Sequence, residues 1–338
     1  MKRVTIIDIA EALGVTPSTV SRALAGNLRV SAQTRQRVHE KAAELGYQPN
    51  VVAASLRKGR SDTIGMLVPR INRNFFSHVI SAVEEVLNPS GFNLLICQSY
   101  ERFIKERQAI EVLLKNRVAG IIMSHSIETI DFEHVLQATR QRVPVVQFDR
   151  VNGIIPGPRI INDNFSGAHL AVKHLIRNGY RKIAHFTGAL SVNVYKERFR
   201  GYRYALDEAG LDFDPGLVVE QTITRETGQE HAYGLIKSGR VDAFFCAGDF
   251  SAVGVIQVIQ NYGKSVPAGF GVVGFANEPF AEIMAPRLTT VEQNAYDIGL
   301  RAARSLVKII NENNLGDDIE EIVPVRLLVR ESSVRQET

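Results

Sequence analysis

The chain has 338 residues, of which 45% are hydrophobic, 22% charged and 7% aromatic, a composition that excludes a disordered, collagen-like or low-complexity protein. Its net charge of +4 is unevenly spread: residues 1–60 carry ten Lys/Arg against four Asp/Glu, a net +6, and the remainder sums to −2. A basic head on a slightly acidic body points to a polyanion as the head's partner. No apolar run approaches the ~18 residues of a transmembrane helix. The start MKRVTIIDIAEALG lacks the apolar stretch and small-residue cleavage site of a secretory signal. A cytoplasmic protein with no membrane partner is therefore expected.

In the head, Thr5 and Asp8 form a capping box, with Asp where Glu or Gln is usual. Ile6, Ile9, Ala10 and Leu13 give the inward stripe of a first helix, which Gly14 ends. Thr16 caps and Pro17 opens a second helix, reaching about Ala25. It buries Val20 and Leu24 and exposes Ser18, Thr19, Ser21 and Arg22. Ser31 caps a third helix with Val38, Ala42 and Leu45 facing inward and Gly46 as its stop. Two helices joined by a tight Gly-containing turn and braced by a third make a helix-turn-helix. The hydroxyls and the one Arg on the second helix suit base edges and phosphates, Arg gripping guanine through two hydrogen bonds. A generic three-helix core with a polar outer face is the competing reading.

Pro49 stops the third helix, and Asn50 caps a short one from Val51 to about Lys58, with Ala53 and Leu56 on one face. A helix this short forms only with a partner's support. Leu56 beside Arg57, Lys58 and Arg60 matches a minor-groove wedge, in which an apolar side chain parts a base step and cations hold phosphates. A polar linker with a stray Leu is the alternative.

Taken together, VTIIDIAEALGVTPSTVSRALAGNLRVSAQTRQRVHEKAAELGYQPNVVAASLRKG resembles the DNA-binding head and hinge of the lac repressor/galactose repressor (LacI/GalR) family of bacterial transcription regulators. Asp8, Gly14, Val15, Thr19, Val20, Ser21, Arg22, Gly46, Tyr47, Pro49, Asn50 and Leu56 are among the many positions in register. The resemblance implies that Thr5, Thr16, Pro17, Ser18, Ser21 and Arg22 contact DNA, with Thr16, Pro17, Ser18, Ser21 and Arg22 at the major groove. It implies that Asn50, Ala53, Leu56 and Arg57 form a hinge helix in the minor groove.

From about Thr63, apolar runs (63–69, 92–99, 120–125, 143–149, 182–188, 242–248 and 271–277) alternate with amphipathic segments near 76–90, 104–116, 131–141, 165–178, 197–209, 226–238 and 251–262. This is the pattern of parallel sheets covered on both faces, and its length calls for two α/β subdomains. Segments 288–294, 296–311 and 322–332 complete them. The expected fold is an all-α helix-turn-helix head plus an α/β core of two doubly wound parallel-sheet subdomains. That core resembles the periplasmic-binding-protein-like effector core of the same family. The resemblance implies a head over 1–49, a hinge over 50–61 and an effector-binding and dimerisation core over 62–338. Within that core it implies an N-subdomain of about 62–161 plus 292–324 and a C-subdomain of about 162–291 plus 325–338. Crossings are expected near 160–164, 289–293 and 322–328.

In open α/β sheets ligands bind beyond the carboxyl ends of the strands. The residues there are Phe75, Phe76, Ser124, Asp149, Asp163, Arg198, Asp249, Asn277 and Gln293. Rings, carboxylates, amides and an Arg suit a sugar or similar polar metabolite. Bland alternatives stand beside several: core for Phe75 and Phe76, a helix cap for Asp163, a surface cation for Arg198. The resemblance places Asp149, Arg198 and Asp249 at effector-contact positions. Ala276 departs from it, standing where relatives carry an acidic or polar residue; either a neighbour takes over or the ligand offers no group there.

Gly269, Gly271 and Gly274 form a G-x-G-x-x-G string, but Asn-Glu-Pro rather than a helix follows it, so the glycines read as packing positions and not as a dinucleotide site. Cys97 and Cys246, the two cysteines, are far apart and suggest neither a disulfide nor a metal site. The expectation is a ligand-responsive DNA-binding repressor with no cofactor, no metal and no enzymatic activity. Its partners are operator DNA, a small-molecule effector and a second copy of itself. With only a few polar residues and no heptad pattern after Val334, a homodimer is expected.

Overall fold

A computed structural model describes residues 4–47 and 61–335. The chain divides into two compact units, Met1–Ser61 and Asp62–Thr338. The hinge candidates Asn50, Ala53, Leu56 and Arg57 lie outside the described residues.

The first unit contains α1 (Ile6–Leu13), α2 (Pro17–Leu24) and α3 (Ala32–Glu44). Each begins where its local chemistry dictates. Asp8 Oδ2 accepts the Thr5 N–H at 2.7 Å while the Thr5 hydroxyl accepts that of Ile7 at 3.3 Å, closing the capping box. Thr16 and Ser31 accept the N–H groups of Thr19 and Thr34, each at 3.2 Å. Gly14 takes φ +64°, the left-handed conformation that stops α1. Ile9, Ala10, Val20, Ala23, Val30, Val38 and Ala42 form the core. Leu24, expected inside, is only half-buried, and Ala23 takes the inner position.

The second unit alternates strands and helices: β1 (Thr63–Val68), α4 (Asn74–Leu87), β2 (Asn93–Gln98), α5 (Phe103–Lys115), β3 (Gly120–Met123), α6 (Glu133–Arg140), β4 (Val145–Phe148) and β5 (Arg159–Asn162). It continues through α7 (Asn164–Arg177), β6 (Ile183–Phe186), α8 (Asn193–Glu208), β7 (Val218–Val219), α9 (Arg225–Lys237), β8 (Ala243–Cys246), α10 (Asp249–Asn261), β9 (Gly271–Phe275) and α11 (Phe280–Ile283). It ends with β10 (Thr289–Glu292), α12 (Ala295–Glu312), β11 (Glu320–Val323) and β12 (Arg326–Leu328). Two six-stranded sheets result, ordered β11-β5-β4-β3-β1-β2 and β12-β10-β9-β8-β6-β7. Pairing is parallel throughout except between β10 and β12.

Each sheet is covered on both faces. In the first, α4 and α12 pack on one side through Val79, Val83, Ile298 and Leu306, and α5 and α6 on the other through Ile110, Leu113 and Val135. In the second, α9 and α10 cover one side and α7 and α8 the other. Each fully buried Val, Leu or Ile adds about 1.5–3 kcal/mol over its exposed state. That covering explains why the strands read as unbroken apolar runs. The chain passes from the first sheet to the second between β5 and α7, returns between β10 and α12, and passes again between β11 and β12. Two strands were not expected, β5 and β7. The single run at 322–332 is broken at Pro324, its halves belonging to different sheets.

Candidate functional site

On the head, α2 presents a polar strip. The Thr16 hydroxyl lies 2.9 Å from those of both Ser18 and Thr19. Arg22 folds back along the helix, donating from Nε to the Ser18 carbonyl at 3.1 Å and from Nη2 to the Ser18 hydroxyl at 3.2 Å. Pro17, Ser18 and Arg22 are exposed and Ser21 is half-buried. A helix N-terminus with exposed hydroxyls and a surface guanidinium favours phosphates and base edges. Thr5 is already engaged as the cap of α1.

In the second unit, a cavity of about 170 Å³ opens where strands of the two sheets end. The structure brings together Phe75, Phe76, Asp149, Arg198, Asp249 and Gln293 in its lining. Phe75 and Phe76 also belong to the core, packed edge-on to each other at 5.1 Å and, through Phe76, to Phe148, so they are core side chains that also face the cavity. Three other candidates do not line it. Ser124 is fully buried with its hydroxyl 3.4 Å from Asp149 Oδ2, a support for that carboxylate. Asp163 caps α7, accepting the Ser166 N–H at 2.9 Å. Asn277 donates to Glu292 at 2.7 Å and accepts from Arg330 at 2.9 Å, which holds its amide outside the lining.

Arg198 is not a surface cation. It is 5% exposed, donates from Nε to Asn164 Oδ1 at 2.8 Å and from Nη1 to the Ala247 carbonyl at 2.7 Å, and lies over the Phe275 ring at 3.7 Å. Burial lowers its pKa to about 10, so it stays charged at neutral pH. The acids respond in the opposite sense. Burial raises Asp149 against the pull of Arg150 and Arg198, and lifts Asp249 to about 6. Asp249 accepts the Thr290 hydroxyl at 2.6 Å and the Glu278 N–H at 2.8 Å. Gly274 makes room for it: a Cβ there would stand 2.1 Å from Asp249 Oδ1. Gly271 likewise lies against the Tyr180 ring, where a Cβ would come within 2.5 Å. Gly271 and Gly274 are therefore packing positions of β9.

Sequence reasoning missed Arg70, Arg73, Glu101, Arg150, Tyr195, Phe250 and Glu278, which also line the cavity. Arg150 immediately follows Asp149 and pairs with Glu101 through contacts of 2.5 and 3.1 Å; its place two residues past β4 was the available signal. Beside Ala276 the cavity carries an acidic neighbour, Glu278. Positive φ at Ala276 (119°) and Asn277 (50°) precedes Glu278. Contacts among the described residues span the cleft. Asn193 accepts the Val151 N–H at 3.1 Å and donates to the Asp149 carbonyl at 2.9 Å. The Arg73 guanidinium lies 3.6 Å over the Phe250 ring, a cation–π contact.

Comparison with known proteins matches residues 5–50 to the family described as bacterial regulatory proteins, lacI family, and residues 172–333 to the periplasmic binding protein-like domain. The chain is 34% identical over 336 residues to the HTH-type transcriptional regulator RegA of Clostridium saccharobutylicum, covering 98% of this chain and 99% of that protein. Among solved structures, the lac repressor dimer bound to operator and the anti-inducer ONPF superposes with a TM-score of 0.86 at 26% identity, covering 99% of this chain and 100% of that one. The complex of the transcriptional regulator CelR with cellobiose gives a TM-score of 0.74 at 29% identity, covering 98% and 100%.

Proposed function

The chain belongs to the lacI family of bacterial regulatory proteins, a DNA-binding transcription regulator and not an enzyme, and on that premise we propose a cytoplasmic repressor that reads a near-palindromic operator as a dimer and responds to a sugar or similar polar metabolite. The proposed division is a reading head over 1–49, a hinge over 50–61 and a sensor over 62–338. In the head, Thr16, Pro17, Ser18, Ser21 and Arg22 meet the major groove, with Thr5 beside them. In the hinge, Asn50, Ala53 and Arg57 flank Leu56, which wedges a minor-groove step.

One observation carries the sensor reading. Two buried guanidiniums (Arg150 and Arg198), three buried carboxyls (Asp149, Asp249 and Glu278) and five aromatic rings converge on one cavity between two subdomains. Carboxylates and guanidinium pair with hydroxyls, and the rings cover an apolar sugar face. The neighbours support this class of ligand, since CelR was solved with cellobiose. Ligand in the cleft changes the relative orientation of the subdomains, and this is linked to whether the hinges of a dimer can fold on DNA. A coupling of about 1–3 kcal/mol would shift operator affinity roughly 5–150-fold.

The test is operator binding by the full chain, using a fragment selected from genomic DNA, titrated with a metabolite panel. Arg198→Ala is expected to abolish the response while the ligand-free chain stays folded. A response that survives in Arg198→Ala would move the site elsewhere. No preference for any genomic fragment over random competitor would end the regulator reading. Replacing Arg22 is expected to relax base preference at one operator position more than it alters salt dependence.

A further inference from the structure

The cavity's charged groups are unequally engaged. Glu101 and Arg150 neutralise each other. Asp249 has both oxygens engaged, by Thr290 and by the Glu278 N–H. The guanidiniums differ. Among the described residues, Arg70 and Arg73 have no hydrogen-bonded or ion-paired partner, although both are only half exposed. Arg198, almost wholly buried, is held by a neutral amide, a carbonyl and a ring. A buried cation without an anion is costly, and most strongly compensated by a charge-assisted hydrogen bond.

A second feature points the same way. Helix α4 spans 14 residues, and its own N-cap, Arg73, supplies no side-chain hydrogen bond. The carboxylate beside this N-terminus comes from the other subdomain: Glu278, 7% exposed, has its pKa raised by burial, against the opposing pull of the Asn74 N–H and of Arg73. A helix start flanked by Arg73 therefore already has a carboxylate beside it, inside the ligand cavity.

From this geometry we infer that the effector is a small polyol bearing one anionic group, a phosphate ester or a carboxylate, which binds against Arg70, Arg73 and Arg198 and replaces Glu278 as the counter-charge of Arg73. The inference rests on the cleft being the effector site. It specifies that Glu278 is an internal competitor, and that Arg70 and Arg73 determine ligand class where Asp149 and Asp249 hold hydroxyls.

The experiment measures anion binding to the full chain by thermal shift and calorimetry. The probes are inorganic phosphate and acetate, each against sodium chloride of equal ionic strength. Phosphate or acetate is expected to stabilise the protein beyond chloride, and whichever does so identifies the ester or the carboxylate. Arg73→Ala is expected to weaken that binding at least tenfold, and Glu278→Gln to strengthen it several-fold. A stabilisation unchanged in Arg73→Ala places the anion elsewhere, for instance on the basic head, and overturns the inference. So does the absence of any effect beyond chloride, or a weakening by Glu278→Gln. A parallel titration with neutral sugars separates the two claims. Arg198-dependent binding of a neutral sugar with no anion effect removes the anionic group and leaves the sensor standing. No Arg198-dependent binding of either kind removes both.

Discussion

His185 shows how far a single side chain can be removed from its solution chemistry. It is fully buried on β6, stacked against Phe245 at 4.8 Å and Tyr202 at 5.0 Å. Its Nδ1–H donates to the Phe245 carbonyl at 3.1 Å, and Nε2 has no partner among the described residues. Burial holds its pKa down to about 4. In the unfolded chain the imidazole takes up a proton near pH 6.5. The native state resists protonation until about pH 4. Native stability is therefore lost as pH falls through this window, by about 3 kcal/mol in all. His185→Phe keeps the stack and removes the titration, so its unfolding free energy is expected to fall less than the wild type's between pH 6.5 and 4.5. Parallel curves for the two proteins would contradict this. Gly274→Ala acts by space alone. Its Cβ would meet Asp249 Oδ1 at 2.1 Å, so it is expected to destabilise by about 1–3 kcal/mol. It should also weaken effector binding, because Asp249 must leave Thr290. Calorimetric unfolding and a ligand titration check both effects.

At the scale of elements, local chemistry and packing separate cleanly. The starts of α1, α2 and α3 follow from Thr5, Thr16 and Ser31, each engaging its own helix. Thr5→Ala is expected to cost about 1 kcal/mol, read as faster amide exchange across Ile6–Leu13 in the full chain. Gly234 gives the opposite sign. It sits exposed inside α9 with open space beside its Cα, where a Cβ would meet nothing within 4 Å. Gly234→Ala is therefore expected to stabilise by roughly 1 kcal/mol, since Ala loses less backbone freedom in a helix. A lower melting temperature would show instead that α9 depends on the missing side chain at this position. Strands were legible where they show a continuous apolar run. β5 has alternating burial and no such run, and β7, two residues long, carries too few positions for a period to emerge.

For the whole molecule, the proposed function assigns different chemistry to the two units: a polyanion to one and a small ligand to the other. Leu56→Ala is expected to weaken specific operator binding and reduce DNA bending while leaving non-specific binding nearly unchanged, because a wedge acts on base steps and not on phosphates. Gel-shift and bending assays measure this. Equal affinity and equal bending would leave residues 50–61 as a plain linker.

The candidate site was partly readable from the chain. Asp149, Arg198 and Asp249 could be named because strand ends and family register both marked them. Arg70, Arg73 and Glu278 could not, since each lies in a loop whose neighbours across the cleft are far away in sequence. Sequence alone determined what short-range rules control: the caps, the helix-turn-helix pattern, the uneven charge and the alternation of buried strands with helices. Only the tertiary structure decided which side chains share the cavity, that Asp163 is a cap, and that Arg198 is buried without a bonded carboxylate. Burial and ion pairing depend on atoms brought together from distant parts of the chain, and no local pattern encodes those distances.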